Sequence, residues 1–218
     1  MDRAAWPGVF RRGKDLYTVN LTPGKSVYHE ELRREAGIEY RQWDPFRSKL
    51  AAFLLRNANA RDLQGVRSVL YLGGAHGTTA SHLSDLLPDG QIFVIEKSPV
   101  VFAPLLALSR HRPNLLPILA DAQLPERYAA DVGLVDFLYQ DIAQRGQVQI
   151  FAENAAACLR DPGRGILILK VRSVTQRRTA ESIVAEARSQ LERDGFRIDS
   201  TIGLQPFSRE HVALYVDR

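Results

Sequence analysis

Sulfur is almost absent from this 218-residue chain, which has one cysteine, Cys158, and one methionine. A lone thiol excludes an internal disulfide and a cysteine-only metal cage, and it fits a reducing compartment. No apolar run reaches the roughly 20 residues needed to span a bilayer, and no signal-peptide core is visible. The chain therefore reads as soluble and cytoplasmic, with no membrane partner and no expected metal. There is no G-x-x-x-x-G-K-[ST], so a P-loop is excluded. No internal repeat or low-complexity tract occurs. Lysine is scarce as well. Among 29 basic residues only Lys14, Lys25, Lys49, Lys97 and Lys170 are lysines. Arginine serves almost everywhere else, so a lysine at a special place is there for what arginine cannot do. It can lose its proton, or act as a compact, rotatable donor.

What is present is an ordinary globular balance, long enough for one main domain with a small appended unit. The net charge of +4 leans mildly toward an anionic partner. Residues 1–42 read as short strands and turns, as in "VFRRGKDLYTVNLTPGKSVYHEEL". From residue 43 to 218 strands and helices alternate. "WDPFRSKLAAFLL" opens a helix, with Asp44 as cap and Pro45 in the first turn. "SVLYLGG", "QIFVIEK", "LLPILAD", "VGLVDFLYQD" and "GILILKVRS" are strands, and helices lie between most of them. The tail "FRIDSTIGLQPFSREHVALYVDR" has room for two strands but no crossover helix, so it predicts an antiparallel hairpin. The architecture is α/β: an open, doubly wound, Rossmann-like sheet closed by that hairpin, plus a small N-terminal β-rich unit.

Ligands of such sheets bind at the carboxyl ends of the strands. Gly73, Ala75 and Gly77 sit where the first strand hands over to its helix, and small residues there let a ligand approach the backbone. Glu96 ends the second strand and suits a ribose diol. Asp121 ends the third and suits an adenine amino group. Together they describe an adenosine-bearing cofactor. "GGAHGT" reads G-x-A-x-G rather than G-x-G-x-x-G, and with the terminal hairpin it favours an S-adenosylmethionine enzyme over an NAD enzyme. A plain structural turn stays open on the turn alone. Asp141 ends the fourth strand. Lys170 follows four aliphatic residues. Lys49 lies in the helix before the first strand, and His211 opens the last strand.

The motifs "YRQWDPFRSKLAAFLL", "YLGGAHGTTASHLSD", "VIEKS", "ILADAQ", "VDFLYQDIAQ", "ILKVRS" and "LQPFSREHVALYV" occur in order over nearly the whole chain. In this the sequence resembles fibrillarin, the box C/D RNA 2′-O-methyltransferase family, in its archaeal form. The resemblance implies a class I S-adenosylmethionine-dependent methyltransferase fold, acting on rRNA and tRNA. It implies a catalytic set of Lys49, Asp141, Lys170 and His211. It carries cofactor positions onto Thr78, Thr79, Glu96, Lys97, Asp121, Ala122, Asp141, Ile142, Ala143 and Gln144, beside Gly73, Ala75 and Gly77. It also implies a guide RNA and its target RNA, a Nop-type scaffold protein and a kink-turn-binding protein as partners. The chain departs from the family pattern at His76, where a small residue is usual, and at Lys97, where an aromatic is usual. These departures motivate an alternative, a non-catalytic assembly subunit that keeps the fold.

Removing a proton from a ribose 2′-hydroxyl is the chemical task. A lysine buried at a strand end beside other cations would lose its proton more easily. Lys170 is thus expected as base or as the cation facing the alkoxide. Asp141 is expected to orient Lys170, with Asp141 itself as an alternative base, and Lys49 and His211 are expected to position the ribose and its phosphate. Arg172, Arg177 and Arg178, in the loop after Lys170, are expected to grip RNA phosphates.

Overall fold

Two sheets organise the chain in the computed structural model, which describes residues 1–4, 6–57, 63–171 and 179–218. The first is antiparallel and contains β1 (Asp2–Arg3), β2 (Val9–Arg12), β3 (Asp15–Val19), β4 (Leu32–Glu35) and β5 (Ile38–Trp43), in the order β1-β2-β3-β5-β4. A helix, α1 (Lys49–Arg56), leads from it toward the second sheet.

The sequence placed the start of α1 at Asp44 and Pro45, and the structure moves it. Ser48 is the N-cap, its hydroxyl accepting from the Ala51 N–H. Asp44 instead closes the preceding turn, where its carboxylate accepts from Phe46 N and its carbonyl from Arg47 N and Ser48 N. Aspartate caps a tight turn as readily as a helix, so the local signal was ambiguous.

The second sheet holds β6 (Ser68–Leu72), β7 (Gln91–Glu96), β8 (Leu115–Leu119), β9 (Val135–Gln140), β10 (Leu159–Lys170), β11 (Arg197–Gly203) and β12 (His211–Asp217). Their order is β11-β12-β10-β9-β6-β7-β8. The strands from β10 to β8 run parallel, and β12 runs antiparallel to both β10 and β11. The helices are α2 (Thr78–Leu86), α3 (Pro99–Ser109), α4 (Ala129–Val132), α5 (Gln147–Cys158) and α6 (Ala180–Arg193).

Central strands covered on both faces read as unbroken apolar runs, and their side chains alternate between two cores. Val69, Tyr71, Ile166 and Ile168 pack with Phe53 of α1, Leu83 of α2 and Leu105 of α3. Trp6, Leu16 and Trp43 of the N-terminal region join that same core. Leu70, Leu72, Leu167 and Leu169 point the other way, into Phe151 of α5 and Leu191 of α6. Cys158 is buried there and burial pushes its thiol up, so it serves as a small apolar group. Among the described residues no helix is long and apolar enough to cross a membrane.

Charged residues that suggested no role in the sequence join the first sheet to α2. Arg41 of β5 donates to Asp85 and Ser81 of α2 and to Glu30, at 2.8, 3.0 and 2.6 Å. Arg112 donates to the other oxygen of Asp85 at 2.6 Å. His82 stacks on Trp43, with ring centroids 4.9 Å apart and planes inclined by 16°. Its Nδ1 lies 2.8 Å from the Thr18 hydroxyl and its Nε2 lies 2.9 Å from that of Tyr28. Burial, reinforced by Arg41 and Arg112, holds His82 well below the ordinary histidine range.

Candidate active site

Every parallel strand delivers its carboxyl end to one edge of the sheet, and the antiparallel β12 delivers its amino end to the same edge. Lys170, last in β10, is therefore the register partner of His211, first in β12. This pairing brings together two residues 41 positions apart, and only the strand register creates it.

The glycine turn sits between β6 and α2. Gly73 has φ of +90°, and a Cβ there would lie 2.3 Å from the Asp141 carbonyl oxygen. Only glycine permits both the conformation and the approach of the loop after β9. Ala75 is left-handed too, at φ +45°. Its N–H donates to Glu96 at 2.9 Å, and Ser98 N donates to the other Glu96 oxygen at 2.8 Å. Each of those oxygens keeps a lone pair free, so Glu96 is aimed rather than spent. Gly77 is different from its neighbours. It lines neither ligand cavity, and a Cβ there would meet Leu108 at 2.7 Å, so it serves the packing of α2 on α3.

Two adjoining cavities meet at Gly73, Ala75, Asp141, Ile142 and Ala143. The smaller, of about 370 Å³, is walled by Glu96, Lys97, Ala120, Ala122 and Gln144. Gln144 donates to Asp121 at 2.7 Å, and the Lys97 ammonium lies 4.0 Å from the other Asp121 oxygen. Burial raises the Asp121 pKa, but hydrogen bonds from Gln123 N–H and Gln144, with Lys97 nearby, outweigh it and hold the carboxyl below its usual range. Small residues at Gly73, Ala75, Ala120, Ala122 and Ala143 keep this slot open beside the Glu96 carboxylate, while Asp121 stands behind the wall and bonds to its Gln144. The observed residues therefore fit an adenosyl cofactor.

The larger cavity, of about 510 Å³, is walled by Lys49, Thr78, Thr79, His76, Asp141, Lys170 and His211, together with Arg47 and Tyr71. Lys49 donates to both Asp141 oxygens at 2.8 Å. Here the structure corrects the sequence reading, because Asp141 orients Lys49 and not Lys170. Lys170 is also exposed rather than buried, and among the described residues its ammonium has no ion-pair partner. β10 ends at the sheet edge, so its last side chain emerges into the cleft. His211 is half-buried, with Nδ1 held 2.8 Å from the Ser208 hydroxyl. Burial and the Lys49 cation lower its pKa, with Lys170 adding to them, and Asp141 and Glu210 offset the fall only in part.

Thr79 is buried, and its hydroxyl meets that of Ser48 at 2.9 Å. It thereby fixes the start of α1, and so Lys49, against the glycine turn. Gln147 was not singled out in the sequence. Its amide donates to the Ile142 carbonyl and accepts from Lys170 N, tying the loop after β9 to the end of β10. Ser208 was missed as well, although the spacing S-x-x-H is a local signal. Arg172, Arg177 and Arg178 lie outside the described residues.

The strand order and the terminal antiparallel pair define a Rossmann-like methyltransferase fold. Distant solved structures share it, including a putative caffeoyl-CoA O-methyltransferase from Staphylococcus aureus at 16% identity and TM-score 0.55, a likeness of fold alone. The Fibrillarin family model matches residues 2–218. A fibrillarin-like rRNA/tRNA 2′-O-methyltransferase of Methanothermobacter thermautotrophicus is 41% identical over 97% of this chain and 94% of its own length. Aeropyrum pernix fibrillarin, solved with natively bound S-adenosyl-L-methionine, superposes with TM-score 0.87 at 40% identity, covering 99% of this chain and 96% of that one. The fibrillarin of a fibrillarin/Nop5p complex gives TM-score 0.89 at 35% identity over 99% and 100% of the two chains. The chain belongs to the fibrillarin family.

Proposed function

We propose that this chain is an S-adenosylmethionine-dependent methyltransferase for the ribose 2′-hydroxyl of rRNA and tRNA. The observation that carries the reading is the meeting of Lys49, Asp141, Lys170 and His211 at the mouth of a cavity continuous with the slot beside Glu96. The names of its relatives agree with that reading. When bound, S-adenosylmethionine supplies a methyl group activated by a positively charged sulfur. Glu96 would hold the ribose diol of the cofactor, and Asp121, with Gln144, would serve the adenine amino group.

His211 is the proton acceptor. Its depressed pKa keeps the ring neutral near pH 7. In the tautomer with Nδ1–H donating to the Ser208 hydroxyl oxygen, Nε2 is the acceptor and takes the hydroxyl proton. Lys170, exposed in the cleft, stabilises the charge developing on the ribose oxygen. Lys49 keeps Asp141 in place, and the pair fixes the loop after β9, which lines both cavities.

A Nop-type scaffold protein is the assembly partner, as in the solved complex of a relative. A guide RNA and a kink-turn-binding protein select the target nucleotide. The test is methyl transfer to a guide-matched RNA in the reconstituted complex. Transfer should vanish when the target nucleotide is 2′-deoxy, and Lys170→Ala should lower it about 10²- to 10³-fold. Transfer to the 2′-deoxy target, or none to the ribose target, would refute the reading.

A further inference from the structure

One exposed aromatic on the rim of the catalytic cleft has no role in the chemistry described so far. Phe46 is 70% exposed although it sits in the turn that launches α1. Its two flanks are spoken for. Arg47, the next residue, lines the larger cavity together with Lys49 and His211. Behind it lies Phe207, with ring centroids 5.2 Å apart at 73°. Phe207 itself is anchored on the core and adjoins Ser208, which holds His211. The ring of Phe46 is thus held from beneath and presented outward beside the proton acceptor.

Cations surround it. Arg47 and Arg209 are exposed on the two loops that carry Phe46 and Phe207, and Lys170 is exposed within the cleft. The Arg47 guanidinium rests over the Tyr28 ring, 5.7 Å from its centroid, which holds it at the rim. A single protruding aromatic flanked by arginines matches a nucleic-acid strand, which offers apolar nucleoside faces between phosphates. It does not match a protein-docking patch, which needs a cluster of apolar neighbours at its centre.

We propose that Phe46, backed by Phe207, is the surface on which the target RNA rests beside the reacting ribose. Its ring packs against the nucleoside adjacent to the one methylated, and Arg47 and Arg209 take the flanking phosphates. This rests on the 2′-O-methyltransferase reading. It assigns to the turn before α1 the task of seating the substrate, distinct from the chemistry of Lys49 three residues on.

The test compares wild type with Phe46→Ala, Phe46→Trp and Arg47→Ala in the assembled complex, with a guide-matched target RNA. Phe46→Ala should raise the half-saturating RNA concentration about 5- to 100-fold. The rate at saturating RNA should stay within about twofold, as should affinity for S-adenosylmethionine and for the scaffold protein. Phe46→Trp should restore RNA affinity. Arg47→Ala should flatten the salt dependence of RNA binding by about one counterion, whereas Phe46→Ala should leave that slope unchanged.

An unchanged RNA affinity in Phe46→Ala overturns the proposal. So does a loss of scaffold binding measured without RNA, which would make Phe46 a protein contact. A fall in saturated rate and cofactor affinity at unchanged RNA affinity would also overturn it, since that is what a mere prop for the Lys49 and His211 loops would give. If wild type itself fails to methylate the ribose target, the methyltransferase reading falls first, and this inference with it.

Discussion

Asp85 and Asp141 are both aspartates gripped by basic side chains, one between the N-terminal sheet and α2, the other at the strand ends. Asp85 has no exposed side-chain surface. Its two oxygens accept from Arg41, Arg112, the Thr18 hydroxyl and Leu21 N, filling its acceptor sites. The Asp141 side chain is 16% exposed and, among the described residues, accepts from Lys49 alone. Close by, among the described residues, the Lys170 ammonium has no ion-pair partner and one nitrogen of the His211 ring has no hydrogen-bond partner. Residue type does not tell these clusters apart, since each contains cations, an aspartate and a histidine. Completeness of pairing does. A buried network whose carboxylate is filled and which faces no cavity holds two elements together, whereas a cluster with unfilled donors and acceptors facing a cavity can act on a ligand.

The sharpest way to break this contrast is Asp85→Ala. It leaves the buried Arg112 guanidinium without a carboxylate and Arg41 with Glu30 alone, and should destabilise the fold by about 3–5 kcal/mol in denaturant unfolding. A loss below about 1 kcal/mol would mean the network is not structural. The counterpart at the other cluster is His211→Ala. It should lower methyl transfer about 10²- to 10⁴-fold in single-turnover assays, while the unfolding midpoint hardly moves. Equal damage to stability and activity would erase the distinction between the clusters.

Acid separates the two histidines by what is lost. His82 has a folded pKa far below its unfolded value of about 6.5. Below that pH the unfolded chain binds the extra proton, so stability is full above about pH 6.5 and declines as pH falls toward the folded value. The slope approaches about 1.4 kcal/mol per pH unit. Unfolding curves at a series of pH values should show this decline, and His82→Gln should flatten it. His211 is lowered as well. Methyl transfer should therefore hold through neutral pH and fall only below the usual histidine range, and a pH–rate profile rising through pH 8–10 would instead assign the base to lysine.

The smallest effect is expected at Lys97, whose side chain is 53% exposed. Its ammonium lies 4.0 Å from Asp121, the carboxylate proposed above to serve the adenine. Lys97→Ala should tighten S-adenosylmethionine binding by no more than about fivefold, and added salt should mimic it. Calorimetric titration at two ionic strengths checks both statements.

Much of this site was legible before the structure. Gly73, Glu96, Asp121, Asp141 and Lys170 stand at strand ends, and strand ends are local events, written in apolar runs that stop at a glycine or a charge. The partners were not legible. Asp141 was expected to orient Lys170 and pairs with Lys49, 92 residues away. Lys170 was expected to be buried and is exposed. Gly77 looked like part of the ligand turn and packs α2 on α3. Gln147 and Phe46 drew no notice, because an amide at a helix start and a phenylalanine after proline are ordinary until their surroundings are known.

By itself, then, the sequence determined the order of strands and helices, the doubly covered sheet and the family. These follow from residue periodicity, turn chemistry and motif order, all read within short windows. Only the tertiary structure decided which charge meets which, which aspartate is closed and which is open, and that an aromatic stands bare beside the cleft. Pairing and burial depend on contacts between segments distant along the chain, and strand register alone places His211 beside Lys170.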